Sequence, residues 1–272
     1  MILWSSLFYF IFNGIIATLQ GKLPDYFRSY LSLKIIIKFF AFTASPFQGH
    51  LWYLSALLYV LIFVGWCDDM IGRKKLYWLI PLFLLGDLVF GKYSLLLFGK
   101  PFPTSLVRNW LFVGLPYFLL GDCMKNNQDK IRGLMNLNKV WLYFLIIVFV
   151  ATTLLEKNFL VSAGLNAERN HYISSTFLSI TGFVIALTTN RKTGGSGRLA
   201  MVGKKYSTMI YIIHPAFLTL FSLLIQMVVT NQETVTDMYR WTAPFLVFLV
   251  SLGYSVLYEK VKVLFLKNQI KK

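Results

Sequence analysis

Two of the three histidines in this 272-residue chain lie where they can act on a substrate. His50 stands in the segment GHLWYL, where a polar loop meets a long apolar run, and His214 stands inside another apolar run, in YIIHP. An imidazole has an unperturbed pKa of about 6.5, so it can accept and return a proton close to neutral pH. We therefore predict that His50 and His214 are catalytic residues.

Aromatic and polar residues near His50 and at the start of another run are candidates for substrate binding. Trp52 and its neighbour Tyr53 offer flat surfaces on which a sugar ring can stack. Arg108 and Asn109 open the other run, and an arginine there can bind a phosphate group. Ordinary explanations compete, because His50 can be an interfacial histidine in an aromatic belt and Arg108 can extend to lipid headgroups. We predict Trp52, Arg108 and Asn109 as substrate-binding residues.

Polar groups inside the apolar runs form a second set of candidates. His214 is followed by Pro215, which releases a backbone carbonyl, and Tyr211 can donate a hydrogen bond to the same place, so we add it to the substrate-binding residues. Ionisable groups at such depth are functional candidates, although a neutral histidine bonded to a neighbouring helix is an equal alternative. Asp87 is the one carboxylate well inside an apolar run. We expect it to pair with Arg108 or with a histidine.

Several other chemistries lack their motifs. The three histidines and two cysteines are scattered without metal-ligand spacing, so we expect no metal. The segment TGGSGRLAMVGKK has the wrong spacing for a phosphate loop. No GxSxG motif supplies a serine nucleophile. The histidines therefore stay the main candidates for chemistry.

The composition places these residues in a membrane. Hydrophobic residues make up 57% of the chain, aromatic residues 17% and charged residues 14%, which lies outside the range of soluble domains. A formal net charge of +16 would favour nucleic acid as the partner of a soluble protein, but here the basic residues lie between apolar runs. That pattern indicates membrane topology and attraction to anionic headgroups. We expect a lipid bilayer as partner and no nucleic acid.

Eight apolar runs approach the length of about 20 residues that a helix needs to cross a bilayer. They run from Ile2 to Leu19, Leu51 to Cys67, Leu76 to Leu97, Asn109 to Cys123, Val140 to Leu155, Tyr172 to Thr189, Ser207 to Val229 and Trp241 to Tyr258. No interval between them is long enough for a soluble domain. The sequence therefore predicts an all-α fold, a polytopic transmembrane helical bundle of about eight spans that forms one domain over residues 1–272.

The basic residues also predict an orientation, because lysine and arginine are retained on the cytoplasmic side of a membrane. The 27 lysines and arginines divide 17 to 10 between alternate loops. This places both termini, Cys67 and Cys123 at the cytoplasmic side and opens His50 toward the outside. The first run disagrees, because Lys22 follows it and no basic residue precedes it. We therefore expect an even number of further spans upstream of Met1.

The segment from Tyr26 to Phe42 has a different character from the eight runs. It mixes basic residues with large apolar ones, so it is too charged to span a bilayer and too apolar to lie in water. We predict an interfacial helix over this segment. Such a helix can enclose the site at His50, or it can simply connect two spans along the membrane surface.

Three segments of the chain carry a family resemblance. They are GHLWYLSALL from Gly49, RNWLFVGLPYFLLG from Arg108 to Gly121, and KKYSTMIYIIHPAFL from Lys204 to Leu218. Their combination and order resemble the membrane acyltransferase family called acyltransferase 3, and the resemblance covers essentially the whole chain. It implies an integral membrane enzyme that O-acetylates sugars of envelope polysaccharides or related acceptors. The donor that it implies is acyl-CoA, in particular acetyl-CoA.

The same resemblance indicates that part of the family pattern is missing. Members begin with a span that bears a basic residue and a histidine regarded as the catalytic base, and a second span follows. The first run here, ILWSSLFYFIFNGI, is similar to the family's third span. We therefore expect that two spans are lost and that this chain transfers little or no acetyl group, with His50 shaping the acceptor or donor site.

Three functions stay open at this point. The first is O-acyl transfer, which needs a base for the hydroxyl proton and donors for the developing oxyanion; the acceptor would be a cell-envelope carbohydrate or a lipid-linked molecule. The second is transport of envelope precursors, for which internal repeats and more charge within the spans would be expected. The third is a non-catalytic membrane module. In each case we expect a bacterial cytoplasmic membrane protein, which a partner protein or a missing N-terminal segment can complete.

Overall fold

The computed structural model describes residues 1–30, 32–135, 139–167, 171–188, 197–228 and 232–270. Every regular element in these residues is helical, and no strand occurs among them. The predicted all-α transmembrane helical bundle is therefore confirmed. Backbone contacts group the chain into two units, Met1–Asn190 and Arg191–Lys272. The single domain predicted over residues 1–272 stays a prediction.

The first unit contains α-helices that we number in chain order: α1 Ile2–Leu19, α2 Leu23–Tyr30, α3 Leu33–Phe42, α4 Trp52–Ile71, α5 Arg73–Leu76, α6 Leu79–Asp87, α7 Ser94–Phe98, α8 Thr104–Val107, α9 Leu115–Asn126, α10 Gln128–Met135, α11 Lys139–Ser162 and α12 Ile173–Thr188. A 3₁₀ turn, Gly49–Leu51, precedes α4. The first π turn, Leu88–Lys92, follows α6, and the second π turn, Trp110–Gly114, precedes α9. The second unit contains α13 Arg198–Val228 and α14 Gln232–Ile270.

Five of the described helices are long and apolar enough to cross a membrane, and each coincides with a predicted apolar run. They are Ile2–Leu19, Gly49–Ile71, Val140–Ser162, Ala200–Met227 and Trp241–Leu264. The run predicted from Tyr172 onward contains the shorter apolar helix α12, which has 16 residues. Length and composition alone therefore locate these six helices well.

The other two predicted runs are built from shorter helical pieces. The run from Leu76 to Leu97 consists mainly of α6, the first π turn and α7, and the run from Asn109 to Cys123 consists of the second π turn and α9. In a π turn the backbone bonds span five residues, as the amide of Tyr93 shows by donating to the carbonyl of Leu88 at 3.0 Å. Hydropathy does not reveal this widening, so the sequence predicted each run as a membrane span without a π turn.

The single interfacial helix predicted from Tyr26 to Phe42 is two helices, α2 and α3. Ser32 stands at the N-cap of α3 with an extended backbone (φ −77°, ψ 126°), and its carbonyl accepts from the amide of Ile35 at 2.9 Å, so α3 begins there as a separate helix. The Tyr26 hydroxyl of α2 donates to the carbonyl of Phe10 in α1 at 2.6 Å. Burial raises the pKa of Tyr26 above its usual range, and the hydrogen bond from its hydroxyl holds α2 against α1.

A buried apolar cluster holds α4 against α9. Val60 and Val64 of α4 pack with Leu115 and Leu119 of α9 and with Leu76 at the end of α5. Within a bilayer such contacts hold helices together by close packing rather than by removal of apolar surface from water. The cluster fixes the relative position of two helices that contribute to the candidate site.

Candidate active site

A histidine and a carboxylate form the central pair of the first unit. The Nδ1 of His171, just before α12, lies 2.7 Å from the Oδ2 of Asp87, the last residue of α6. Asp87 is 5% exposed, whereas the His171 side chain is 39% exposed. A carboxylate at Nδ1 fixes the tautomer that carries its proton there and leaves Nε2 as the proton acceptor. Of the two partners expected for Asp87, the histidine is confirmed.

His171 lines a cavity of about 390 Å³ in the first unit. Its walls come from α4, from the second π turn with the start of α9, and from α12, and they comprise Trp52, Tyr53, Ala56, Leu57, Val60, Val113, Gly114, Tyr117, Phe118, Ser175 and Ser179. A cavity of this size, mostly apolar with a few polar groups, is typical of small-molecule sites. The imidazole therefore stands beside a space that a reacting group can occupy.

Two glycines allow the helices around the cavity to approach closely. A Cβ atom at Gly86, next to Asp87, would lie 2.5 Å from the Cε1 of Phe112 in the second π turn. A Cβ atom at Gly114 would lie 3.2 Å from the Cγ2 of Val60 in α4. A side chain at Gly86 would force the Phe112 ring to move. Glycine at this position therefore lets α6 pack closely against the second π turn and keeps Asp87 in its buried position.

Asn109 builds the second π turn. Its Oδ1 accepts from the amides of Leu111 at 2.9 Å and Phe112 at 3.1 Å, and its Nδ2 donates to the carbonyls of Leu106 at 2.6 Å and Ser105 at 3.3 Å. The side chain is buried and serves as the N-cap of the turn. The predicted role of Asn109 in substrate binding stays a prediction, and the structure gives the residue a role in shaping the cavity.

A tyrosine hydroxyl is also part of the site. The ring of Tyr117 in α9 lies 5.8 Å from the imidazole of His171, measured between ring centroids. The Tyr117 hydroxyl lies 3.4 Å from the Oγ1 of Thr176. The Thr176 hydroxyl in turn donates to the carbonyl of Tyr172 at 3.2 Å. Tyr117 thus brings a hydrogen-bond donor to the cavity wall beside the histidine.

Side chains from other helices hold both ends of α12. The carboxylate of Glu156 in α11 accepts from the amides of Ile173 at 3.1 Å and Ser174 at 3.3 Å, at the N-terminus of α12. The Nε of Arg132 in α10 donates to the carbonyl of Leu187 near the C-terminus at 2.9 Å. A negative group at the first turn and a positive group at the last both stabilise a helix. The start of α12, beside His171, is therefore fixed.

The residues predicted around His50 lie at the entrance of α4. His50 belongs to the 3₁₀ turn, and its ring packs edge-on against Tyr9 of α1, with 5.3 Å between centroids. Trp52 lines the cavity, and the guanidinium carbon of Arg108 lies 5.1 Å from the centroid of its ring. The structure thus places Arg108 over Trp52, which lines the cavity, whereas His50 packs against α1.

His214 and Tyr211 lie on α13 in the second unit. The Nδ1 of His214 lies 3.2 Å from the carbonyl of Ile210. The rings of Tyr211 and His214 lie 6.1 Å apart between centroids. His214 also lines an apolar groove of about 550 Å³ between α13 and α14, with Ile210, Leu218, Tyr239, Ala243, Pro244, Val247 and Phe248. The catalytic roles predicted for His50 and His214 and the binding role predicted for Tyr211 stay predictions.

Sequence reasoning did not select His171, Tyr117 or Glu156. His171 had a usable signal, because it directly precedes an apolar run, as His50 does, and it was the remaining histidine for Asp87. Tyr117 and Glu156 had none, since tyrosines are frequent in this chain and Glu156 sits at the edge of a predicted run. Among the described residues, no group of three or more His, Cys, Asp or Glu side chains is arranged to hold a metal ion.

Comparison with known proteins identifies the family. A family model described as an acyltransferase domain matches residues 1–259, which is nearly the whole chain. No curated protein and no solved structure matches it. The match agrees with the five membrane-length helices among the described residues. The chain belongs to the acyltransferase 3 family and is an integral membrane acyltransferase.

Proposed function

We propose that this protein transfers an acetyl group from acetyl-CoA to a hydroxyl of a cell-envelope carbohydrate or lipid-linked acceptor, with His171 as the general base. The observation that carries the proposal is the His171–Asp87 pair at the wall of the cavity. A buried carboxylate on one ring nitrogen, with the ring beside a substrate-sized space, is typical of a histidine that moves protons.

In the proposed step, Nε2 of His171 accepts the proton of the acceptor hydroxyl while the hydroxyl oxygen attacks the thioester carbonyl carbon. The new C–O bond gives a tetrahedral intermediate, and its collapse breaks the C–S bond. The imidazolium then returns the proton to the departing thiolate, so His171 ends the cycle neutral. General base catalysis of this kind contributes a factor of about 10² to 10⁴ in rate.

Asp87 supports this step through His171. Its Oδ2 accepts the Nδ1 proton at 2.7 Å, which keeps Nε2 ready to accept the hydroxyl proton. Its negative charge also stabilises the imidazolium that forms during the reaction. Because Asp87 is buried at the end of α6, this interaction is screened little by solvent.

The Tyr117 hydroxyl is our candidate donor to the oxyanion. It lies at the cavity wall with His171, and its bond to Thr176 is long at 3.4 Å, so the proton can turn from Thr176 to a tetrahedral intermediate formed beside the imidazole. Donors placed in advance where negative charge develops are among the largest contributions to acyl-transfer rates. The serine hydroxyls of α12 that line the cavity are further polar contacts for substrate.

The aromatic end of the cavity is our candidate acceptor site. Trp52 and Tyr53 line it at the start of α4, and Arg108 lies over Trp52. An indole surface with a guanidinium beside it suits a sugar that carries a phosphate group. The distribution of basic residues supports an outward-facing position for this end, with both termini in the cytoplasm of a bacterial cell. The thioester of cytoplasmic acetyl-CoA would then enter from the opposite end.

The three histidines of the chain supply matched variants for a test. His171→Gln, His50→Gln and His214→Gln are each expressed in cells, and acetylated envelope sugar is measured by mass spectrometry. We expect His171→Gln to lower acetylation by about 10²-fold or more, with smaller losses in the other two.

Two results would contradict the proposal. Full acetylation by His171→Gln would remove the general base from this position, and a selective loss in His50→Gln or His214→Gln would favour the residues predicted from sequence.

A further inference from the structure

Lys92, at the end of the first π turn, is a buried cation. The residue is 2% exposed, its Nζ donates to the carbonyl of Ala167 at 2.9 Å, and it lies 4.3 Å from the centroid of the Tyr172 ring. An ammonium group inside a protein or membrane is costly unless hydrogen bonds and nearby electron-rich groups compensate for lost water. Specific contacts therefore stabilise the buried Lys92 ammonium group.

These contacts lie on both sides of His171 in the sequence. Ala167 precedes the histidine by four positions and Tyr172 follows it directly. Asp87 and Lys92, five residues apart, therefore act on the same part of the chain: the carboxylate meets the imidazole, and the ammonium meets the flanking residues. Two opposite charges from one helical segment thus contact His171 and residues on both sides of it in the sequence.

The π turn explains how one segment presents both charges in this direction. In a regular α-helix, side chains five residues apart point about 140° away from each other. The first π turn is closed by the bond from the Tyr93 amide to the Leu88 carbonyl, at 3.0 Å, and a turn of this kind brings residues five apart toward the same side. Asp87 and Lys92 span this turn, so both reach the chain around His171.

We propose that Lys92 is a positioning residue that keeps His171 within hydrogen-bonding distance of Asp87. The inference rests on the proposed function of His171 but concerns a separate residue. His171 lies outside any helix, so its position depends on its neighbours. The amide of Tyr172 donates to the Oγ of Ser175 at 2.8 Å, which fixes the chain on the C-terminal side of His171. Lys92 binds Ala167 on the N-terminal side of His171 and also contacts the Tyr172 ring.

The test compares Lys92→Met with Lys100→Met in the full chain, purified into lipid nanodiscs. Methionine keeps much of the volume of lysine and removes its charge and hydrogen bonds, and Lys100 is an exposed lysine eight positions away. The first readout is the histidine NMR spectrum, which three histidines make simple to assign with His50→Gln and His214→Gln. In the unchanged protein we expect a downfield Nδ1 proton from His171, and Asp87→Asn should remove it.

We expect Lys92→Met to weaken or remove that proton signal, while Lys100→Met leaves it unchanged. Acetyl transfer supplies the second readout: kcat should fall roughly 10- to 100-fold in Lys92→Met with KM changed little, because a small displacement of a catalytic group slows chemistry more than binding. Lys92→Arg, which keeps a donor and a charge, should restore part of both readouts.

Tyr172→Leu provides a second variant if Lys92→Met does not fold. It removes the ring beneath the ammonium and leaves the lysine in place, and it should weaken the same proton signal to a smaller extent. An unchanged His171 signal in folded Lys92→Met or Tyr172→Leu would overturn the proposal for Lys92. An intact signal in the unchanged protein together with full transfer by His171→Gln would instead overturn the proposed function, so the two failures are distinguishable.

Discussion

The Nδ1 of His171 lies 2.7 Å from the Oδ2 of Asp87, although 84 positions separate the two residues along the chain. The carboxylate belongs to α6 and the imidazole precedes α12, so the pair exists only while these two helices keep their relative position. Glycines, a capped π turn and the anchored ends of α12 maintain that position. Changes at these supports, far from any substrate, should therefore alter both stability and acetyl transfer.

Gly86→Ala should destabilise the protein and lower acetyl transfer, because its Cβ would lie 2.5 Å from Cε1 of Phe112 and would push Asp87 away from His171. Gly121→Ala in α9 is the matched control, since a Cβ there meets nothing within 4 Å and alanine favours a helix over glycine by about 0.5–1 kcal/mol. Thermal unfolding in detergent is the measurement. An unfolding temperature of Gly86→Ala that equals or exceeds that of Gly121→Ala would contradict the close approach.

Asn109→Ala should lower the free energy of unfolding by roughly 1–2 kcal/mol, because it removes the cap of the second π turn. Asn109→Asp should lose at least as much, since it keeps the acceptor for the two amides but places a buried carboxylate oxygen against the carbonyls of Leu106 and Ser105. Thermal unfolding and acetyl transfer are measured on both variants. If Asn109→Ala is as stable as the unchanged protein yet inactive, the residue binds substrate, as its position in the sequence suggested, and its capping role is minor.

Most of the fold followed from the length of the apolar runs, and the exceptions have local causes. Hydropathy located α1, α4 and α11 because their runs are long and apolar. It did not show that a π turn follows α6 directly after Asp87, since the widened turn changes hydrogen bonding and not composition. Nor did it divide α2 from α3, because the extended backbone at Ser32 interrupts a segment whose composition predicts one interfacial helix.

The candidate site was harder to predict, because it depends on which helix faces meet. Asp87 stood out as a carboxylate within an apolar run, and a histidine was one of its two expected partners. The choice of His171 needed the contact between α6 and the start of α12, which no spacing in the sequence expresses. Asn109 illustrates the opposite case, since a polar residue in a family segment has its side chain bonded to the backbone.

Glu156→Ala should destabilise α12 and reduce acetyl transfer, because two amides at the start of the helix lose their acceptor beside His171. We expect a loss of about 0.5–2 kcal/mol, the range for helix caps. Glu259→Ala is the control, since Glu259 forms a long 3.8 Å pair with Lys262, whose side chain is 54% exposed, and such partly exposed pairs contribute little. Equal thermal unfolding of the two variants would contradict the anchoring role of Glu156.

The predicted orientation can be tested with two exposed lysines from opposite loops. In a background without Cys67 and Cys123, Lys100→Cys should react with an impermeant thiol reagent on intact cells, because its loop is predicted to face outward. Lys74→Cys should react only after the membrane is opened. Both side chains are exposed, so a difference reports sidedness rather than burial. If only Lys74→Cys is labelled on intact cells, the predicted orientation is wrong and the opposite one holds.

A double-mutant cycle on His171 and Asp87 tests the central claim most directly. Acetyl transfer is measured for the unchanged protein, His171→Gln, Asp87→Asn and the double variant, in nanodiscs with acetyl-CoA and an envelope polysaccharide acceptor. If Asp87 acts through His171, the double variant should be no slower than His171→Gln, because the carboxylate has no effect once the imidazole is gone. Losses that multiply in the double variant would show that the two residues act independently and would contradict a paired general base.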